Sequence, residues 1–166
     1  MAEKIKNLED LLVDQLKDLY SAETQLIGAL PKMAKAANSE ELKMGFNEHL
    51  EMTRRQKERI EKIFDKFPGN PSGKKCLGME GLIKEGEEIF SESMDPDTRD
   101  AALIAAAQKV EHYEISGYGT ARTFAETLGH RDVAQMLQET LEEESMTDER
   151  LTRMAESNIN RRAKKM

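Results

Sequence analysis

The chain has 166 residues, of which 38% are hydrophobic and 34% charged, with ten Met, four Pro, no Trp and a formal net charge of −7. That length fits one domain, residues 1–166, with a core of its own, and the composition is that of a helix-rich, well-solvated protein rather than a sheet protein. The negative balance excludes a general nucleic-acid binder, no apolar stretch approaches the roughly 20 residues that span a bilayer, and the start MAEKIKNLED lacks the apolar core of a secretory signal, so no membrane partner and a cytoplasmic location are expected.

Apolar spacing predicts a first long helix over about 5–37, with Leu12, Leu16, Leu19, Leu26, Leu30 and Met33 at three-and-four intervals and Glu23 inside the stripe. Pro31 should kink it near its end. Asn38 and Ser39 offer N-caps for a second helix over about 39–66, with Glu40 and Glu41 in its first turn. Its inward stripe reads Leu42, Phe46, His49, Thr53, Gln56, Ile60, Ile63, Phe67, so three polar residues interrupt an apolar line. FPGNPSGKK is a loop by composition. Cys76 follows it, a single cysteine without an internal disulfide partner, read as structural or incidental rather than as a reactive thiol and in keeping with a reducing compartment. A short helix over about 79–91 leads to MDPD, where Asp95 as N-cap and Pro96 at the first position open a long helix over 96–128 that stops at Gly129. A last helix, over about 132–157, carries Ala134, Leu137, Leu141, Glu144, Asp148, Leu151 and Ala155 on one line, and the basic run Arg161 to Lys165 reads as a solvated terminus. Four long helices with two tight connections and one long middle connection describe two helical hairpins joined by a crossover, the all-α plan of a ferritin-like four-helix bundle.

Glu111 and Glu114 fall on the inward stripe of the fourth predicted helix, beside alanines and Tyr118. An unpaired buried carboxylate costs several kcal/mol or takes up a proton, so such a pair calls for a partner, most economically a cation. In an antiparallel hairpin, residues equidistant from the turn lie at equal height. This places Glu23 opposite Thr53 and near Gln56, with His49 a turn away, and places Glu114 opposite Glu144 and Glu111 opposite Asp148. Glu23, Glu111, Glu114, Glu144 and Asp148, with Gln56 and His49, make the ligand inventory of a dinuclear iron or manganese centre, since oxygen donors suit these cations better than copper or zinc. The standard Glu-x-x-His of such centres is absent: the second helix has Thr53 and Gln56 at that spacing, and the last has Glu144 and Thr147. His112 points elsewhere, Tyr118 is packing or a hydrogen-bond donor to a carboxylate, and Glu142 and Glu143 are expected to be solvated. The plain alternative is a bundle whose acids are solvated or hydrogen-bonded.

Ser21-Ala22-Glu23, HLEMTRRQ from His49, KKCLGMEGL from Lys74, DAALIAAAQKVEHYEISGYGT from Asp100 and TLEEESMTDERL from Thr140 together resemble the bacterial YciF-type stress proteins over nearly the whole chain. The resemblance implies a ferritin-like, rubrerythrin-related bundle, a homodimer and a link to stress responses. It also implies Glu23, Glu111, Glu114 and Glu144 as metal ligands. One departure stands out: Arg54 occupies the place of a histidine found in the enteric member, three residues after the glutamate matching Glu51. Two functions follow. One is a dinuclear iron or manganese site reacting with a small oxidant, peroxide or oxygen; the other is a non-catalytic stress or interaction protein whose acids form hydrogen-bonded networks.

Overall fold

The computed structural model describes residues 4–165. Their helices are α1 (Leu8–Ala36), α2 (Glu40–Phe64), α3 (Leu77–Ser91), α4 (Pro96–Thr127) and α5 (Arg131–Met154), followed by a π-helical turn over Ala155–Ile159 and a short α6 (Asn160–Ala163). No strand occurs among the described residues. α1 pairs with α2 and α4 with α5, forming two hairpins that pack through α1 on α4 and α2 on α5. The crossover helix α3 lies against α1 and α4.

Capping chemistry sets the ends. The side chains of Asn7, Ser39 and Asp95 accept from backbone N–H groups of the first turns of α1, α2 and α4, and Pro96 follows its cap. α4 closes at Gly129, whose φ of 81° is the left-handed conformation glycine takes without strain. There His130 N–H bonds Ala125 O and Gly129 N–H bonds Glu126 O, the double bond pattern that ends a helix in a sharp turn. α1 runs through Pro31 to Ala36. The last helical run goes further than the periodicity indicates. Beyond Met154 the π-helical turn buries Ile159, and Arg162 and Lys165 reach Asp97 and Asp95 at the start of α4. Arg161 to Lys165 is therefore anchored in part, rather than wholly solvated, because two acids at the first turn of α4 wait within reach.

Two apolar clusters fill the bundle. One gathers Leu26, Leu30, Leu42, Phe46, Leu103, Ala107 and Leu151; the other gathers Leu12, Leu16, Leu19, Ile60, Ile63, Tyr118, Ala121 and Leu137. In every long helix buried polar residues fall where one cluster gives way to the other: Glu23 in α1, His49, Thr53 and Gln56 in α2, Glu111 and Glu114 in α4, Thr140 and Glu144 in α5. The bundle thus has two apolar ends and a polar waist.

Candidate metal centre

The waist is built by helical spacing. Glu111 and Glu114, three apart on α4, share one face; His49, Thr53 and Gln56 occupy successive turns of the inner face of α2. One donor atom from each of His49, Glu111, Glu114 and Glu144 lies within 4.8 Å of the others. Cation–oxygen bonds run at about 2.0–2.6 Å, so ligands on opposite sides of one ion stand about 4–5 Å apart, and the four fit a single coordination sphere. Glu23, Glu111, Glu114, Glu144 and Gln56 are fully buried and His49 is 5% exposed.

Hydrogen bonds do not account for these groups. Glu111, Glu114 and Glu144 bury both carboxylate oxygens without a partner, and Glu23 Oε2, Gln56 Oε1 and His49 Nε2 join them. Among the described residues, the other buried side-chain atoms so placed are the Nε atoms of Arg99 and Arg122. His49 Nε2 stands 3.2 Å from Glu111 Oε1 without hydrogen-bond geometry. Thr53, the nearest candidate donor on α2, gives its proton to the backbone oxygen of His49 instead, at 2.8 Å. Tyr118 alone among the described residues donates into the set, to Glu23 Oε1 at 2.5 Å.

Burial, then the charge of Glu144, holds the carboxyls of Glu23, Glu111 and Glu114 well above the usual carboxylate range. The bond from Tyr118 partly offsets this at Glu23. Glu23 adds to the negative charge around Glu114, and a donor atom of Glu111 lies within 4.8 Å of one of Glu144. Two carboxylates cannot donate to each other, so these approaches are attractive only with a proton or a cation between them. Burial also lowers the pKa of His49, leaving a neutral imidazole with a free lone pair, and raises that of Tyr118, which stays a phenol. The set is a nest of acceptors fitted to a positive charge.

Each residue expected from the sequence has a definite place. His49, Glu111, Glu114 and Glu144 come together, with Glu23 beside Glu114 and Gln56 in the same buried stripe. Asp148 does not join them. It is partly buried at the rim, where it accepts from Gln108 Nε2 at 3.2 Å and faces the exposed His112 Nε2 at 3.2 Å. Equal height is not equal azimuth, and Asp148 lies one turn beyond Glu144, turned towards the seam. Glu143 corrects the expectation of a solvated acid. Arg59 clasps it with two bonds of 3.0 Å, and Gln56 Nε2 donates to it at 3.0 Å. Burial alone would raise the pKa of Glu143, but the bonds from Arg59 and Gln56 outweigh it and hold the carboxyl below its ordinary value. Arg54 and Glu51 are on the outer surface, 50% and 65% exposed and 3.6 Å apart, so the substitution at position 54 does not touch the waist.

Cys76 is buried and structural. Its sulfur accepts from Met79 N–H at the start of α3 and contacts Asp18 Oδ2 and the Tyr113 hydroxyl at 3.2 and 3.0 Å. These contacts fix the crossover to α1 and α4.

Four long helices in two hairpins, with a crossover between them and carboxylates turned inward at mid-height, define the class: an all-α, ferritin-like four-helix bundle. Within that class the chain belongs to the family described as a domain of unknown function, DUF892, whose profile matches residues 7–164. Protein YciF of Escherichia coli (strain K12) is 49% identical over 160 residues, 96% of each chain. The crystal structure of that stress protein superposes with a TM-score of 0.90, covering 94% of this chain and 99% of its own. YcfI from Rhodopseudomonas palustris is 43% identical, with a TM-score of 0.88 over 92% and 97% of the two chains. The fold extends to a two-domain Anabaena variabilis protein with DJ-1/ThiJ/PfpI-like and ferritin-like domains, at 15% identity and a TM-score of 0.61, over 93% of this chain and 38% of that one.

Proposed function

We propose that the waist is a carboxylate-rich dinuclear site for iron or manganese, in a stress-response protein that acts on a small oxidant. The observation that carries this reading is the convergence of buried, unpartnered acceptors from four helices. A hydrogen-bonded network, the basis of the non-catalytic alternative, would leave such oxygens satisfied. Charge balance agrees: Glu23, Glu111, Glu114 and Glu144 carry four negative charges when ionised, the complement of two divalent cations. Hard oxygen donors with one imidazole suit iron or manganese.

His49, Glu111, Glu114 and Glu144 would hold one ion, and Glu23, steadied by Tyr118, would help to hold the other. Gln56 would be a neutral donor. Bound there, a pair of redox-active ions supplies the one-electron steps that reduce peroxide or dioxygen. The chain's own part is to keep bulk water out with its two apolar ends, to hold His49 neutral, and to keep the Tyr118 proton directed at Glu23 Oε1. Asp148, one turn from Glu144 on the rim, would take part at most through His112 and Gln108.

The chain is proposed to act as one domain and as a cytoplasmic homodimer, without a nucleic-acid or membrane partner. The net charge of −7 supports the first exclusion. No helix among the described residues is long and apolar enough to cross a membrane. Elemental analysis of protein purified without chelator should find about two iron or manganese ions per chain, and the loaded protein should consume peroxide faster than the free metal does. Absence of metal uptake would leave the non-catalytic reading, with which the provisional description of the Rhodopseudomonas palustris relative as a structural protein agrees.

A further inference from the structure

Outside the metal-facing set stands an ion pair whose purpose is not stability alone. Arg59 and Glu143 meet at the seam of α2 and α5, the arginine 18% and the glutamate 27% exposed. Arg59 Nη1 also donates to Thr140 Oγ1 at 2.6 Å, so the guanidinium is held by two residues one turn apart on the same face of α5. A bidentate Arg–carboxylate fork of this kind is rigid and permanently charged. Its free acceptor capacity is used by Gln56, whose Nε2 donates to Glu143 Oε2 at 3.0 Å.

This bond decides how the amide lies. A carboxamide carries its oxygen and its NH2 on opposite corners of one plane, and Glu143 tolerates only the NH2 corner. The oxygen corner is therefore turned away from the seam, and Gln56 Oε1 is buried with no partner. On electrostatics within the waist alone, the reverse orientation would be better, because an NH2 group could donate to the unpartnered carboxylates. The ion pair overrides that preference. It makes Gln56 an acceptor in a region that already has an excess of acceptors, an arrangement that a proton or a cation rewards and that two divalent cations reward most.

We propose that Arg59 and Glu143 are positioning residues that aim the Gln56 carboxamide oxygen at the Glu23 end of the waist, as the neutral donor for the second of two divalent cations. The inference rests on the dinuclear reading above and adds what distinguishes the two positions: an imidazole end at His49 and Glu111, and a carboxamide end at Glu23 and Gln56. A neutral donor matters there because a fifth carboxylate would exceed the charge of two divalent ions.

The test uses the full-length, chelator-stripped protein titrated with Mn2+, read by native mass spectrometry and by the electron paramagnetic resonance spectrum. Three chains are compared: wild type, Gln56→Leu, and the paired variant Arg59→Met with Glu143→Leu, which removes the seam charges together, leaves neither charge unpaired and frees the Gln56 amide to turn. Circular dichroism melts verify that each is folded. Wild type should bind two ions with an exchange-coupled spectrum. Both variants should retain the first ion and bind the second at least tenfold more weakly, with a six-line mononuclear signal at one equivalent. A paired variant that binds two ions as wild type does, with the coupled spectrum intact, overturns this inference alone. A wild-type chain that takes up no Mn2+ overturns the dinuclear reading and this inference with it.

Discussion

The apolar ends and the polar waist of this bundle are made by the same helices, yet they obey opposite rules. At the ends, side chains such as Leu16, Phe46 and Leu103 are buried for what they gain by leaving water, on the order of 1.5–3 kcal/mol each. At the waist, Glu23, Glu111, Glu114 and Glu144 are buried at a cost, with almost no hydrogen bonds in return. The difference teaches where fold and function separate: the ends hold the helices in register, and the register is what forces the acids together. A protein selected for stability alone would fill the waist with leucine.

The largest effect that tests this division is at an end. Phe46→Ala should destabilise the protein by about 3–5 kcal/mol while leaving the number of metal ions per folded chain unchanged, as read by denaturant unfolding and elemental analysis. If it removed metal without lowering stability, the two regions would not be separable.

The next effect belongs to the waist and depends on pH. Glu23, Glu111 and Glu114 have folded pKa values raised above 4.5, so in the metal-free protein the folded state holds more protons than the unfolded state above that pH. Stability is full below about 4.5 and falls as pH rises through the raised values, by up to about 1.4 kcal/mol per pH unit for each proton involved. His49, lowered from 6.5, works the other way and costs stability as pH falls below that value; one imidazole does not cancel three carboxyls. Metal-free protein should therefore lose melting temperature between pH 5 and 8. Glu114→Gln should make that decline shallower and abolish dinuclear uptake, whereas Mn2+ should remove the decline in wild type by replacing protons with a cation. An identical pH slope in wild type and Glu114→Gln would contradict the account of the waist.

The smallest effect sharpens the boundary between waist and surface. Arg54→His introduces the histidine that the family resemblance implies at this place, and because position 54 is on the outer face it should change neither metal uptake nor, beyond about 0.5 kcal/mol, stability. Tighter metal binding in that variant would bring the outer face of α2 into the site.

Much of this arrangement was legible in the amino-acid order. Helix period and capping residues gave the four long helices to within a few residues, because both are local signals. The inward placement of Glu23, His49, Gln56, Glu111, Glu114 and Glu144 followed from the same stripes; Tyr118 was legible only as packing or as a donor to a carboxylate, and the structure shows it donating to Glu23. What sequence did not resolve is azimuth at the seams. Glu143 is one residue, or 100°, from Glu144 and was expected in solvent, yet it faces Arg59 across α2 and α5. Asp148 is four residues from Glu144, far enough around α5 to meet Gln108 and His112 at the rim. The residual signal was the spacing of Gln56 and Arg59, three apart on one helix, against Thr140 and Glu143, three apart on its neighbour. The C-terminal run was missed because its anchors, Asp95 and Asp97, are remote in sequence.

The central claim is that the waist is a cation site. Anomalous scattering from crystals of the chelator-stripped protein soaked in Mn2+, measured on both sides of the manganese edge, addresses it directly. The account predicts two peaks inside the bundle, one bounded by His49, Glu111, Glu114 and Glu144 and one by Glu23 and Gln56. Peaks confined to surface acids, with none at mid-bundle, would contradict it.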